Sequence, residues 1–303
     1  MRILDIWGSA LGDLKGRALA EAILESEGRV IGAEVEGVTS GVPCGYGSAV
    51  SNGEMSAAFG ADLIFVNAGV PFLDKPVIPE LESLTHVPCG FQGLSRYLGR
   101  PCGPILEPDL PYVPEPIRAS EETVNKAVES GAAFIILSAN PCRGPIGHKE
   151  IIESVKTVRR ASGDILVIAG KMHHSGMWET YTPDAARAYM EAGADGSIIP
   201  VPGTVPGVTE RMAADYAGEI HKNGGLVLSA ITTSQEGSDR ETIRQLALSA
   251  KRTGADIHHI STAGYPLGSP PPENLYTYSV AVRGVRHTWN RMAWNLRNHW
   301  ESL

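Results

Sequence analysis

A glycine followed within a few residues by a short apolar run recurs along this chain, and it constrains the fold more than any other feature. The repeat reads GADLIFVNAG from Gly60, GAAFIILSAN from Gly131, GDILVIAGK from Gly163, GADGSIIPVPG from Gly193, GGLVLSAI from Gly224 and GADIHHIS from Gly254. The last five of these glycines are spaced by 32, 30, 31 and 30 residues. That is the length of one strand-plus-helix unit with short loops, and glycine at that place suits the left-handed turn that closes a helix. Two further runs, RVIGAEVEG from Arg29 and GPILEPD from Gly103, bring the number of strands to eight.

The segments between the runs have helical period. Ile151, Val155 and Val158 share a face after the fourth strand, Thr182 is placed to cap a helix opening with Pro183, and Ser238 with Glu241 reads as a capping box. Strands apolar on both faces, alternating with helices, imply a parallel sheet covered by helices. Eight units at a near-constant period favour a closed (β/α)8 TIM barrel over an open doubly wound sheet, whose GxGxxG after the first strand is missing. The expected architecture is a single domain over residues 1–303. It has an N-terminal extension (residues 1–28, a strand or coil and a helix) and a long C-terminal helix. That helix carries Val285, Trp289, Met292, Leu296 and Trp300 on one face, so its far end is a candidate contact in a homo-oligomer. Proline-rich tracts at 71–88 and 108–118 lengthen the loops after strands two and three, where a lid or wall is expected.

Composition narrows the partners. With 26 basic against 34 acidic residues the net charge is -8, which argues against nucleic acid or an anionic membrane and for a small-molecule ligand. No apolar stretch approaches the roughly 20 residues that span a bilayer, and the opening MRILDIWGSALGDLKG lacks the features of a signal peptide, so a cytoplasmic location is expected. Cys44, Cys89, Cys102 and Cys142 each follow a proline and read as turn residues with free thiols; a zinc site would draw on closely spaced pairs that this chain lacks.

In a barrel of this kind the site lies at the carboxyl ends of the strands. The polar residues there are Glu34 and Glu36 on strand one, Asn67 on strand two, Glu107 on strand three, Asn140 on strand four and Lys171 on strand five, with His173 and His174 following. Lys171 ends an apolar run. It is a candidate amine nucleophile for a carbonyl substrate, or a plain cation that binds a substrate carboxylate or phosphate or pairs with Glu107. Glu107 is a candidate general base, and Asn67 and Asn140 are placed to orient hydroxyls. Glu34, Glu36 and Glu107 could instead hold a divalent metal ion, with His173 and His174 nearby, although no HxH or HExxH spacing occurs. His258 and His259 are adjacent on strand eight, so one faces the barrel and one the helices. Anion-binding candidates are Thr204 and Gly207 after strand six, Ser229, Thr232, Thr233 and Ser234 at and after strand seven, and Ser261 and Gly264 after strand eight.

The blocks LEPD at 106–109, AGKMHHSG at 169–176, PVPGTVPG at 200–207, TSQEGSDRETIRQLA at 233–247 and GADIHHI at 254–260 together resemble an uncharacterised bacterial (β/α)8-barrel family. Its members are sometimes labelled haloacid-dehalogenase-like, but no DxD nucleophile motif occurs here. The resemblance implies a fold and a candidate site without a reaction. The residues themselves point to a lyase or isomerase acting on a small phosphorylated or carboxylated carbonyl compound. A metal-dependent barrel enzyme and a non-catalytic binding barrel are the alternatives.

Overall fold

The computed structural model describes residues 1–36, 42–43, 49–67, 90–140, 144–263 and 268–297. Eight parallel strands close into a barrel: β1 (Val30–Glu36), β2 (Leu63–Asn67), β3 (Cys102–Leu106), β4 (Phe134–Leu137), β5 (Leu166–Gly170), β6 (Gly196–Pro200), β7 (Leu226–Ile231) and β8 (Ile257–Ile260). They follow one another in chain order around the barrel, and β8 closes on β1 with Ile257 opposite Val30. Every glycine run read from the sequence supplies one of them.

Two short helices, α1 (Gly8–Gly12) and α2 (Gly16–Leu24), precede the barrel as the expected N-terminal extension. The helices that follow the strands in turn are α3 (Asn52–Ala58), α4 (Gly90–Leu98), α5 (Glu121–Glu129), α6 (His148–Ala161), α7 (Pro183–Glu191), α8 (Glu210–Lys222), α9 (Arg240–Arg252) and α10 (Pro272–Arg297). Of the six repeat glycines, five take φ between 74° and 106°, the left-handed turn that redirects the chain from a helix into the next strand; Gly163 does not. Among the described residues no helix is long and apolar enough to cross a membrane.

Period-two alternation divides each strand between two cores. Val30, Leu63, Phe65, Ile105, Phe134, Ile136, Leu166, Ile168, Ile198, Leu228 and Ile257 fill the barrel, and the residues between them pack under the helices. Phe65 and Phe134 meet edge to face with centroids 5.1 Å apart. Their bulk needs a small neighbour: a Cβ on Gly32 would lie 2.0 Å from the Phe65 ring. The barrel interior is therefore a packed core and not a pore.

At the amino ends of the strands the Gly-Ala-Asp form of the repeat has a structural task. Asp62, Asp195 and Asp256 stand at the starts of β2, β6 and β8, and each accepts a hydrogen bond from a backbone N–H of the strand before it, at Ile31, Val167 and Val227, all at 2.8 Å. Each then takes a basic partner from a helix. Arg159 pairs with Asp195, His221 with Asp256, and Arg283 and Arg291 with the fully buried Asp62. These pairs tie the helical ring to the sheet.

Two expectations need correction. The cap of α9 is Asp239 rather than Ser238: its carboxylate accepts the amides of Glu241 and Thr242, which leaves Glu241 one position too early for a capping box. Cys102 begins β3 and is buried, so burial pushes its thiol up to about 12; it is a free core cysteine and not a turn residue. Cys44, Cys89 and Cys142 lie outside the described residues, as does the tract at 71–88. The helix α10 is long as expected, with a break at Gly284 (φ 74°, ψ 167°) just ahead of Val285 and Trp289. Both are exposed, and Trp289 donates to the Tyr276 hydroxyl at 3.0 Å.

Candidate functional site

Continuing the alternation past the last apolar layer places Glu34 and Glu36 of β1, Asn67 of β2, Glu107 after β3, Ser138 and Asn140 after β4, Thr232 after β7 and Ser261 after β8 on the barrel side. All of them line one cavity of about 200 Å³ at the carboxyl end, together with Met172, His173, Glu236 and Thr262. Of the six strand-end residues expected at this face, Glu34, Glu36, Asn67, Glu107 and Asn140 line the cavity and Lys171 does not.

Two of the carboxylates are held in the same way. The Asn67 amide donates to Glu34 Oε1 at 2.5 Å, and the Asn140 amide donates to Glu107 Oε1 at 2.6 Å. In each pair the asparagine lies 33 residues beyond the glutamate, one strand further round the barrel. Glu107 is fixed from behind as well, because the 108–118 loop folds back and the Glu107 backbone bonds Ile117 and Ala119. On the cavity floor His259 rests against Phe65, its Nε2 3.0 Å from Glu34 Oε2 without hydrogen-bond geometry. His258 points the other way, to the Tyr278 hydroxyl and the Gly28 carbonyl, as strand alternation requires.

Glu36 and Glu236 behave differently. Burial, reinforced by the charge of Glu34, lifts the Glu36 carboxyl to about 7; burial lifts Glu236 to about 7 too, and Glu34 adds to that shift. Glu236 was not singled out from the sequence, although it sits in the block TSQEGSD. Thr233 and Ser234 beside it read as anion ligands, and the sequence marks Glu236 only as an acidic residue in a loop at the carboxyl end of the barrel. Ser234 takes the left-handed conformation (φ 78°), which turns its N–H onto Glu236 Oε1 at 3.2 Å. Glu236 Oε2 is buried and without a partner.

His173 is set by a short relay. Its Nδ1 lies 3.0 Å from Ser175 Oγ, whose proton goes to the Ala139 carbonyl at 3.0 Å. Ser175 therefore accepts from His173, which puts the imidazole proton on Nδ1 and leaves a lone pair on Nε2. Burial lowers its pKa to about 4, so the ring is neutral at physiological pH.

Lys171 does not join the site. Counting outward from Leu166, it falls on the helix side of β5, where it is fully buried. Its ammonium donates to the Met177 carbonyl at 2.8 Å and to Glu179 Oε2 at 2.9 Å, and the same carboxylate oxygen accepts the His148 amide at 2.8 Å. The expected pairing with Glu107 is replaced by one with Glu179, and neither the nucleophile nor the substrate-cation reading of Lys171 fits this position. What Lys171 does is close the loop from Met172 to Glu179, which carries His173.

The other candidates separate in the same way. Thr232 and Ser261 line the cavity, while Ser229 is buried on the outward face of β7. Thr204 donates to the Val201 carbonyl, and Thr233 donates to Thr204 O at 2.7 Å, so both close loops. Gly207 (φ 83°) lies beside Trp178, which stacks on His174 at 3.9 Å. Gly264 lies outside the described residues. Among the described residues no three His, Cys, Asp or Glu side chains stand where they could hold a metal ion together, although Glu34, Glu36 and Glu107 share the cavity. A wider cavity of about 780 Å³ opens at the opposite end between α2 and the starts of β5 to β7, where Arg159 pairs with Asp195 and Arg17 with Glu21.

Over residues 4–298 the chain matches the family described as a domain of unknown function (DUF7916), and it belongs to that family. No curated protein matches it by sequence. Among solved structures it is similar to a protein from Coccidioides immitis assigned provisionally as a fructose-1,6-biphosphate aldolase, at 11% identity and a TM-score of 0.50, over 93% of this chain and 98% of that one. It is also similar to a thiamine phosphate pyrophosphorylase from Pyrococcus furiosus, at 11% identity and a TM-score of 0.45, over 84% and 96% of the two chains. At such identities the likeness concerns the fold alone.

Proposed function

We propose that this DUF7916 protein is a barrel enzyme that moves protons on a small carbonyl or hydroxylated compound, as a lyase or an isomerase, in the cavity at the carboxyl ends of its strands. One observation carries the reading: four glutamates face a single small cavity in two distinct conditions. Glu34 and Glu107 are engaged by Asn67 and Asn140, whereas Glu36 and Glu236 are lifted to about 7. A carboxyl near half protonation at neutral pH can give or take a proton with little penalty, which is the condition for general acid–base work.

In this scheme one of the pair, as carboxylate, removes a proton from a carbon or hydroxyl of the substrate. The other, as acid, protonates the carbonyl or departing oxygen. Neutral His173 presents Nε2 as an acceptor, and Asn67 and Asn140 hold their carboxylates in place. The chemistry needs no amine nucleophile, in keeping with the buried position of Lys171.

The test is solvent exchange. Incubation in deuterium oxide with a panel of small ketoses, aldoses and hydroxyketones should place deuterium at one substrate carbon, read by NMR. Glu36→Gln and Glu236→Gln should each slow exchange by about 10²- to 10⁴-fold with the fold intact. Unchanged exchange in both variants would sink the proposal. A second reading, a divalent ion drawn by the same carboxylates and retaining most of its waters, is favoured only by their density. It predicts that exhaustive chelation abolishes exchange and that magnesium or manganese restores it.

A further inference from the structure

The loops after β6 and β7 have the hydroxyls and glycines from which an anion site is expected, yet several of their described donors are already engaged within the protein. The Thr204 hydroxyl donates to Val201 O at 2.8 Å, and the Thr233 hydroxyl to Thr204 O at 2.7 Å. The Ser234 amide goes to Glu236 Oε1 at 3.2 Å, and the first amides of α9 go to Asp239 Oδ1 at 2.9 and 3.0 Å. The protein's own carboxylates thus occupy the places where a phosphate would lie. Lys171, which adjoins Met172 and His173 of the cavity lining, is spent on Met177 O and Glu179.

The groups with a fixed hydrogen-bonding sense that face the cavity are mostly acceptors, the complement of an anion site. The Thr232 hydroxyl gives its proton to Met172 O at 3.1 Å and keeps only lone pairs for a ligand. The tautomer of His173 leaves Nε2 as an acceptor. Glu236, 4% exposed, has Oε2 without a partner, and Ser138, 3% exposed, has an unpartnered Oγ; both line the cavity. Buried polar atoms left unpaired cost stability unless something supplies the missing bonds, so these two independently indicate a ligand.

We infer that the cavity takes a small uncharged or cationic compound that donates several hydrogen bonds, a polyol, sugar or amino alcohol, and that it turns away phosphorylated and carboxylated compounds. The inference rests on the mouth cavity being the substrate site, and it revises the anionic substrate expected from the sequence. A volume of about 200 Å³ suits a ligand of that kind with few carbons. An added phosphate would meet four glutamates with no lysine or arginine among the described residues that line the cavity.

Calorimetric titration and thermal shift with xylitol, myo-inositol and 2-amino-1,3-propanediol, against inorganic phosphate, malonate and glycerol 2-phosphate, test it. At least one probe of the first group should bind saturably. Its affinity should fall about tenfold in Glu236→Gln, where one charged acceptor is lost, and by a smaller factor in Ser138→Ala, a change too small to threaten the fold. Saturable binding by the second group that responds to the same substitutions overturns the inference, and so does a flat response to every probe of the first. Polyol binding without deuterium exchange would sink the acid–base proposal and leave this one standing. Exchange on a phosphorylated ketose with no polyol binding would do the reverse.

Discussion

Replacing Lys171 by methionine separates the structural and catalytic readings of that residue. Methionine fills nearly the same volume, so the perturbation is the loss of a fully buried ammonium with bonds of 2.8 Å to Met177 O and 2.9 Å to Glu179 Oε2. Removing one partner of a buried pair costs about 3–5 kcal/mol when the other is left uncompensated. Here Glu179 retains the His148 amide, and its side chain is 28% exposed, so water can take up the freed oxygen. The cost of Lys171→Met should therefore fall below that range, at about 2–3 kcal/mol. Glu179→Gln reverses the situation by leaving an ammonium at 0% exposure with a weaker partner, and should cost about 3–5 kcal/mol. The double variant should recover about 1–3 kcal/mol of the sum. Urea unfolding of the four proteins, read as midpoint shifts at constant slope, gives all three values. Additivity within about 0.5 kcal/mol, or Lys171→Met proving the more damaging single change, would refute the geometry. Borohydride treatment with a carbonyl probe should also leave the Lys171 peptide unmodified.

Acidification should destabilise the fold through His173 and His258. Their folded pKa values are lowered to about 4 from 6.5, so between those values the unfolded chain binds more protons and stability falls as pH falls. Glu36 and Glu236 act in the opposite sense: raised from 4.5 to about 7, they withdraw stability as pH rises through that window. Glu236→Gln should thus gain on the parent between pH of about 5 and about 8, by at most about 3 kcal/mol, and a pH series of urea midpoints without that gain would exclude a raised carboxyl there. Gly147→Ala should cost about 1–3 kcal/mol and lower turnover, because the new methyl would lie 2.7 Å from Met177 Sδ and 2.8 Å from Glu179 Oε1 and push aside the loop that carries His173. A neutral result in both unfolding and exchange assays would show that the contact is not tight. Asp239→Ala should lose about 1 kcal/mol through the uncapped start of α9, with Ser238→Ala near zero; the reverse order in thermal unfolding would restore the cap to Ser238.

Why the barrel was legible in the sequence and half of the site was not comes down to which signals are local. Each strand announces itself by a glycine and an apolar run, and strand ends on one face follow from parallel topology, so Glu36, Asn67, Glu107 and Asn140 could be assigned to a common cavity without coordinates. Lys171 departs from the site for a different reason. All polar residues at strand ends were gathered into the site, whereas only alternate ones turn inward, and Leu166 and Ile168 on the barrel side already put Lys171 with Val167 and Ala169 under the helices. Ser229, between Leu228 and Ala230 of the inner core, fails by the same count.

Alternation has no hold past the strand ends, and there the decisive facts are conformational. His173 reaches the cavity because Ser175, at φ 51°, turns back to hold its Nδ1, and Glu236 does so because Ser234, at φ 78°, delivers an amide to it. Non-glycine residues in that region are uncommon, and nothing in the letters Ser-Gly or Thr-Ser-Gln requires it. The same loop then carries two roles in opposite directions. Lys171 faces outward and fixes Met177 and Glu179, and the segment so closed presents Met172 and His173 inward. A substitution at Lys171 would accordingly reach the chemistry through His173, by its position and by loss of the charge that helps to lower its pKa. It should lower exchange while leaving the pH at which Glu36 and Glu236 titrate in place, whereas a residue contacting substrate would alter the profile itself.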